Sequence, residues 1–174
     1  EEHPTQAMLD LLTIKQELKR IDGLAIAIVG DLRYGRTVHS LAYALSLYDV
    51  RIFLVAPDLL RMRSEVVHDI QSRTTIEETD RLTQLLPRID VLYITRIQKE
   101  RFTDLAEYEK IKGSYQLRAD DLTQVKESMI VMHPLPRVDE IDFAVDNTKH
   151  AKYFKQMRYG LLLRMALLSS VLGY

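Results

Sequence analysis

The sequence predicts an α/β protein in which helices cover both faces of a parallel sheet. Short apolar runs such as LAIAIV and RIFLVA, which are typical of strands buried on both faces, alternate along the chain with longer segments whose apolar residues recur at helical spacing. Turn-forming glycine, proline and aspartate residues bound these runs. Because the 174 residues contain no internal repeat, low-complexity tract or linker, we expect one domain with a buried core.

The predicted elements follow one another in a regular order. A first helix is predicted over residues 5–20, because Pro4 suits its first turn and Asp22 and Gly23 end it. Strands are predicted, in chain order, at residues 24–29, 51–56, 74–78, 91–95 and 129–132. Further helices are predicted at residues 36–47, 59–72, 81–86, 104–111 and 153–172. Together they predict a three-layer α/β/α, Rossmann-like fold with a central parallel sheet of four to five strands, of which residues 74–78 form an edge.

The overall composition excludes several classes of function. The chain is 47% hydrophobic and 28% charged with a net charge of -1, so neither nucleic acid nor a membrane is indicated as a partner. It has no cysteine, which excludes disulfides and thiolate chemistry and fits a cytoplasmic protein. No apolar run approaches the ~18 residues that span a bilayer, and we expect no signal peptide before Glu1. Because the chain begins without Met, we expect a piece of a longer or processed polypeptide.

Polar residues follow three of the predicted strands, at the edge where parallel sheets bind ligands. GDLRYGRT follows the first strand, Arg96 comes directly after residues 91–95, and HPLPR follows the last strand. An arginine in such a place is poorly explained by packing, and its planar fork suits a carboxylate or a phosphate. We therefore expect an anion site in which Arg36 and Arg96 each hold one carboxylate of a small diacid. The alternative is surface arginines paired with acidic neighbours.

The stretch from Gly30 to Thr37 leaves a nucleotide-binding alternative open. It differs from the phosphate loop G-x-x-x-x-G-K-[ST] only in having Arg36 at the lysine position. A magnesium-binding aspartate should then end a neighbouring strand, but only Asp58 is a candidate, and a weak one. We therefore regard a nucleoside triphosphatase as the weaker interpretation. Of the other histidines, we expect His39 to be a structural residue. We expect His68 and His150 to be surface residues.

Four motifs carry a family resemblance. HPTQAMLDLLTI, GDLRYGRTVHSLA, VLYITRIQKERF and MHPLPRVDEI resemble, in this order, the aspartate-binding half of aspartate carbamoyltransferase. The final HAKYFKQMRYGLLLRMALL is similar to the C-terminal helix of that family. Ornithine carbamoyltransferase shares the architecture and the HPxQ element but typically lacks the YGRT and TRxQKER pair. Two departures are Tyr159, where the family often has Asn, and Arg33, which replaces a common lysine.

The resemblance implies a reaction in which the amine of L-aspartate attacks carbamoyl phosphate, giving N-carbamoyl-L-aspartate and phosphate in pyrimidine biosynthesis. No metal or organic cofactor is implied. His3 would stabilise charge on the carbamoyl oxygen as the catalytic residue. The other implied contacts are, for the carbamoyl group, Gln6, Leu135 and Pro136, and for the aspartate carboxylates, Arg36, Arg96 and Gln98. The resemblance also implies a cis Leu135–Pro136 peptide, while Lys99, Glu100 and Arg101 would hold their loop in place.

The family also holds phosphate through a second domain with a Ser-x-Arg-Thr-Arg motif, which this sequence lacks. We therefore expect residues 1–174 to be a single aspartate-binding domain without useful turnover alone. The resemblance implies a homotrimer, the missing N-terminal domain and a regulatory chain as partners. We expect self-association or partner binding through apolar helix faces that include Leu9, Leu12, Leu161, Leu162, Met165 and Leu168. The alternative function is a non-catalytic module that binds aspartate or serves assembly.

Overall fold

A five-stranded parallel sheet, with its strands in the order β3-β2-β1-β4-β5, forms the centre of the molecule. The computed structural model describes residues 2–97, 102, 105–111, 113 and 115–173. The strands are β1 (Ala25–Val29), β2 (Arg51–Val55), β3 (Thr75–Thr79), β4 (Val91–Ile94) and β5 (Ile130–Met132). The helices are α1 (Pro4–Leu18), α2 (Arg36–Leu45), α3 (Ser64–Gln71), α4 (Leu82–Leu85), α5 (Leu105–Ile111) and α6 (Tyr153–Leu172).

Alternating side chains of the central strand pack into two separate apolar clusters, one on each face of the sheet. Ile26 and Ile28 belong to the cluster that includes apolar residues of α1, α2 and α3. Ala27 and Val29 belong to the cluster that includes α4 and the beginning of α6. This alternation follows from the period of two along a strand. The predicted three-layer α/β/α class is therefore confirmed, with β3 as the expected edge strand.

The chain leaves β1 to build one half of the sheet and returns to build the other half from β4. A crevice is expected at the carboxyl ends of β1 and β4, where the strand order reverses. Gly30, directly after β1, has φ +117°, and a Cβ placed there would lie 2.3 Å from the carbonyl oxygen of Thr95. Only glycine allows the two strand exits to approach so closely.

The single helix predicted over residues 59–72 is wrong. A 3₁₀ turn covers Asp58–Leu60, the next residues are extended, and α3 begins only at Ser64. Two contacts with the loop after β1 account for the interruption, because Leu32 N–H donates to the Leu60 carbonyl at 3.1 Å and Arg63 Nε donates to the Arg33 carbonyl at 3.0 Å. These tertiary hydrogen bonds outweigh the local helical pattern.

Helices α1 and α6 pack closely against each other. A Cβ at Gly160 would lie 3.1 Å from Leu9 Cδ2, and the Glu17 carboxylate accepts a hydrogen bond from the Tyr159 hydroxyl at 2.8 Å. The expectation that Leu9 is exposed is therefore wrong, since this contact buries it. Five of the apolar residues of α6 that are at least 50% exposed form what we call the outer face of α6, namely Met157, Leu161, Leu162, Met165 and Leu168. Within the described residues, no helix is long and apolar enough to span a membrane.

Candidate active site

A cleft of about 370 Å³ opens at the carboxyl edge of the sheet. The loops after β1, β4 and β5 meet there with the N-terminal end of α1. Six residues predicted for the site line this one cleft, namely His3, Gln6, Arg36, Arg96, Leu135 and Pro136. The seventh, Gln98, lies outside the described residues, as do Lys99, Glu100 and Arg101. The sheet topology thus brings together residues that are more than 130 positions apart in the chain.

Two arginines from separate elements make one wall of the cleft cationic. Arg36 is the first residue of α2, where the free N–H groups and the dipole of a helix favour an anion. Arg96 comes two residues after the end of β4. The turn before Arg36 is fixed, because Asp31 accepts the Tyr34 N–H at 2.9 Å and a Cβ on Gly35 would lie 2.5 Å from the Asp31 carbonyl oxygen. The two guanidinium groups suit an anion with two carboxylates.

His3 lies directly before α1, and its backbone N–H donates to Ser40 Oγ of α2 at 2.7 Å. Partial burial, followed by the nearby cationic groups of Arg36 and Arg164, lowers the pKa of His3 below its usual 6.5. The imidazole is therefore neutral at neutral pH and keeps one N–H group as a hydrogen-bond donor. A neutral donor of this kind can stabilise negative charge that develops on a carbonyl oxygen.

The loop after β5 contains the predicted cis peptide between Leu135 and Pro136, which the structure confirms. The Leu135 N–H donates to His133 Nδ1 at 2.8 Å, so the ring proton must be on Nε2, which donates to Glu140 at 2.6 Å. The second carboxylate oxygen of Glu140 accepts the N–H groups of Val138 and Asp139, both at 3.1 Å. Both nitrogens of the His133 ring are therefore occupied in holding the loop.

Burial alone would raise the pKa of Glu140, but the hydrogen bonds from His133 and from backbone N–H groups outweigh it and hold this pKa below 4.5. Glu140 is thus an ionised carboxylate that binds three donors of its own loop. Sequence reasoning missed this role. The only signal was a glutamate seven residues after the histidine, and a spacing of that kind indicates no particular contact in a loop.

The remaining histidines and the candidate metal ligand lie elsewhere. His39 is buried with Nε2 2.8 Å from the Leu32 carbonyl oxygen, and His68 is exposed, as expected. His150 is buried with Nδ1 2.7 Å from the Met129 carbonyl oxygen, so the surface position expected for it is wrong. Asp58 pairs with Arg61 at 2.8 Å at the surface. In the described part of the chain, no group of three or more metal-ligating side chains occurs.

The doubly wound sheet and its two-arginine cleft define an α/β protein with a cleft suited to a small anion at a topological switch point. Residues 22–171 match the family model of the aspartate/ornithine carbamoyltransferase Asp/Orn binding domain, and the chain belongs to this family.

Similar proteins agree with this assignment. The chain is 53% identical over 171 residues to the aspartate carbamoyltransferase catalytic subunit of Archaeoglobus fulgidus, covering 98% of this chain and 56% of the relative. It is 55% identical over 173 residues to the catalytic subunit of Thermococcus kodakarensis, covering 99% of this chain and 56% of the relative. The chain therefore spans about half the length of these relatives.

Solved structures show the same fold. The catalytic subunit of M. jannaschii aspartate transcarbamoylase superposes with a TM-score of 0.90 at 52% identity, covering 98% of this chain and 56% of that one. The Trypanosoma cruzi enzyme, in complex with carbamoyl phosphate and aspartate, superposes with a TM-score of 0.91 at 47% identity, with 96% and 56% covered.

Proposed function

We propose that residues 1–174 form the aspartate-binding half of an aspartate carbamoyltransferase. The single observation that carries this proposal is the cleft itself, whose lining combines two arginines with the neutral hydrogen-bonding groups of His3, Gln6 and the loop after β5. L-aspartate has two carboxylates and an amine, and a carbamoyl group is neutral and planar. The two sides of the cleft therefore match the two reactants in charge. The similarity to enzymes whose structures contain both reactants supports the same assignment.

On the cationic side, Arg36 and Arg96 bind the two carboxylates of L-aspartate, with Gln98 as a further contact. Each guanidinium can offer two parallel N–H groups to one carboxylate, which fixes the direction of the ligand as well as its position. The amine of the aspartate then lies between the two walls. This arrangement selects a diacid of fixed length over a monoacid, because a monoacid leaves one arginine without its partner.

On the neutral side, His3 donates to the carbamoyl oxygen, and Gln6 contacts the carbamoyl amide. The backbone carbonyls of Leu135 and Pro136 accept hydrogen bonds from that amide and from the attacking amine. The amine nitrogen, in its unprotonated form, forms its bond to the carbamoyl carbon, and the bond from that carbon to the phosphate oxygen breaks. The proton that the amine loses is taken up by the leaving phosphate. Charge gathers on the carbamoyl oxygen, where the neutral donor of His3 stabilises it. Most of the rate then comes from placing two reactants in contact, with no covalent intermediate.

The proposal includes partners that complete the site. A carbamoyl-phosphate-binding domain would supply the phosphate contacts, and the outer face of α6 offers an apolar surface for such a partner. A homotrimer, an additional regulatory chain, a cytoplasmic location and a role in pyrimidine biosynthesis belong to the same proposal. The second candidate, a non-catalytic module for aspartate binding or assembly, is favoured by the match to only about half of each relative.

Two measurements test the proposed function. Isothermal titration of this chain with L-aspartate, with and without carbamoyl phosphate, should give binding heat that succinate shares and acetate does not. Carbamoyl transfer should be negligible for the chain alone and should appear when a carbamoyl-phosphate-binding domain is added. A high rate for the chain alone would contradict the half-site assignment, while aspartate binding without turnover in the assembled protein would favour the non-catalytic module.

A further inference from the structure

We propose that Asp10, a buried carboxyl in α1 that touches no ligand, is a positioning residue that fixes which atoms of the carbamoyl subsite accept hydrogen bonds. This inference rests on the proposed function for its ligand, but its geometry stands on the contacts of the chain itself. It predicts that one side chain controls how well the site distinguishes a carbamoyl group, which carries an NH₂, from an acyl group of similar size that has none.

Asp10 joins two helices and the site. It is completely buried, and its Oδ1 accepts hydrogen bonds from Gln6 Nε2 at 2.9 Å and from Gln156 Nε2 at 2.7 Å. Gln6 belongs to α1 and lines the cleft, whereas Gln156 belongs to α6. The carbonyl oxygen of the Gln156 side chain accepts the backbone N–H of His133 at 3.0 Å. One carboxyl oxygen is thus connected both to a cleft side chain and to the loop after β5.

These contacts determine the orientation of both amides. A glutamine amide has a donor end and an acceptor end, which only its hydrogen-bond partners distinguish. Since Oδ1 of Asp10 can only accept, both NH₂ groups must face it. The His133 N–H, which can only donate, confirms this orientation for Gln156 from the other side. The carbonyl oxygen of Gln6 is consequently turned away from Asp10 and is the end available to a ligand in the cleft.

The orientation does not depend on the ionisation of Asp10. Burial raises the pKa of this carboxyl to about 7. The side-chain amides of Gln156 and Gln6 and the hydroxyl of Tyr93 lower the pKa, but they do not cancel the effect of burial. Tyr93 of β4 is the titratable group facing it. Among the described residues, neither Asp10 Oδ2 nor the Tyr93 hydroxyl has a partner of good hydrogen-bond geometry. A proton on Oδ2 therefore leaves Oδ1 as the acceptor for both amides.

The consequence is a subsite that presents acceptors. The Gln6 carbonyl oxygen from α1 and the backbone carbonyls of the loop after β5 together suit the two N–H groups of a carbamoyl amide. An acetyl group in the same place would leave these oxygens without donors, which disfavours it because unpaired buried polar groups are costly. Asp10 holds the first acceptor through Gln6 and steadies the loop through Gln156 and His133.

The functional test compares carbamoyl phosphate with acetyl phosphate as alternative donors, in this chain assembled with its carbamoyl-phosphate domain. Asp10→Leu, which removes the acceptor at similar volume, should raise the KM for carbamoyl phosphate about tenfold to a hundredfold, with much less effect on acetyl phosphate. Asp10→Asn keeps an acceptor at Oδ1 and should stay within about threefold of the wild type. Thr13→Val, a buried change on α1 outside this network, controls for lost stability and should leave the donor preference unchanged.

The proposal would be overturned if Asp10→Leu kept the wild-type preference for carbamoyl phosphate over acetyl phosphate. It would also be overturned if Asp10→Asn lost as much of this preference as Asp10→Leu. If Asp10→Leu does not fold, NMR of the wild-type chain with ¹⁵N-labelled glutamine decides. The side-chain NH₂ protons of Gln6 and Gln156 should exchange with water at least tenfold more slowly than those of exposed Gln16, and fast exchange at either overturns the geometry. If neither donor gives turnover, the proposed function is contradicted. The NMR experiment still tests the role of Asp10 in that case, because it needs no substrate.

Discussion

In the proposed function, the two walls of the cleft would recognise their ligands by different physical means. On the aspartate side, Arg36 is exposed and Arg96 half-buried, and each carries a full charge. On the carbamoyl side, the groups are neutral, and hydrogen bonds that His133 donates and that Glu140 and Asp10 accept hold the structure behind them. Attraction between charges falls off gradually with distance, whereas a neutral hydrogen bond is lost within a small error in distance or angle. The neutral wall is therefore the one that needs a buried support.

The change with the largest expected effect disrupts the contact between the two strand exits that lead to Arg36 and Arg96. Gly30→Ala places a methyl group 2.3 Å from the Thr95 carbonyl oxygen, where the backbone has φ +117°. We expect the free energy of unfolding to fall by about 3 kcal/mol or more. Denaturant unfolding followed by circular dichroism measures this loss.

A glycine without such a contact provides the matched control. Gly113 also has a positive φ, +73°, but a Cβ there meets no atom of the described residues within 4 Å. Gly113→Ala should lower the free energy of unfolding by only about 1–2 kcal/mol, which is the cost of placing a side chain on a residue with positive φ. Equal losses for Gly30→Ala and Gly113→Ala would mean that the close approach of the two strand exits is not what requires Gly30.

The next change removes support from the neutral wall. Glu140→Gln turns one carboxylate oxygen into an NH₂ group that faces N–H donors of the loop, so we expect a loss of about 2–3 kcal/mol in the free energy of unfolding. The pKa of Glu140 in the folded protein lies below 4.5. Its contribution is therefore complete above pH 4.5 in the wild type and is lost as the pH falls through the folded value.

Unfolding experiments as a function of pH test this prediction. The difference between wild type and Glu140→Gln should be constant near neutral pH and shrink in acid. Glu127→Gln is the control, because Glu127 is exposed and its ion pair with Lys149 should contribute at most about 0.5 kcal/mol. A difference that stays constant down to acid pH would show that the charge on Glu140 contributes nothing.

A smaller effect is expected on the cationic wall. Arg36→Lys keeps the positive charge but loses the planar fork, so aspartate affinity should fall about tenfold to a hundredfold while the fold is preserved. Arg73→Lys is the control, since Arg73 is exposed two residues before the beginning of β3, at the amino end of the sheet. Isothermal titration measures both variants. Unchanged aspartate binding in Arg36→Lys would contradict a two-pronged carboxylate contact.

The smallest expected effect connects the two walls. Burial lowers the pKa of His3 first, and the positive charge of Arg36 lowers it further. Arg36→Met should therefore raise the pKa of His3, while Arg36→Lys should leave it nearly unchanged. A ¹H NMR titration of the His3 ring follows this pKa. If Arg36→Met has no effect, the two walls do not interact through charge.

The strands of the sheet can be predicted from the sequence, whereas the long-range contacts that hold the cleft in place mostly cannot. The strands are recognisable because buried parallel strands must be apolar, and the cleft follows because their polar exits meet at one edge. Leu60 and Arg63 interrupt a predicted helix through contacts with a loop almost 30 residues away, which periodicity cannot reveal. Gln156, one partner of Asp10, is 146 residues distant in the chain. The only local signal of the Asp10 contacts was the spacing of Gln6 and Asp10, which are four residues apart on one helix face.

The outer face of α6 gives any assembly of this chain a particular temperature dependence. Burying such a face releases water from apolar side chains, which lowers the heat capacity and makes the driving force mainly entropic near room temperature. Association through Leu161, Met165 and their neighbours should therefore weaken on cooling, while the hydrogen-bonded cleft keeps its shape. Cold is then expected to release any partner bound at this face before the fold is lost.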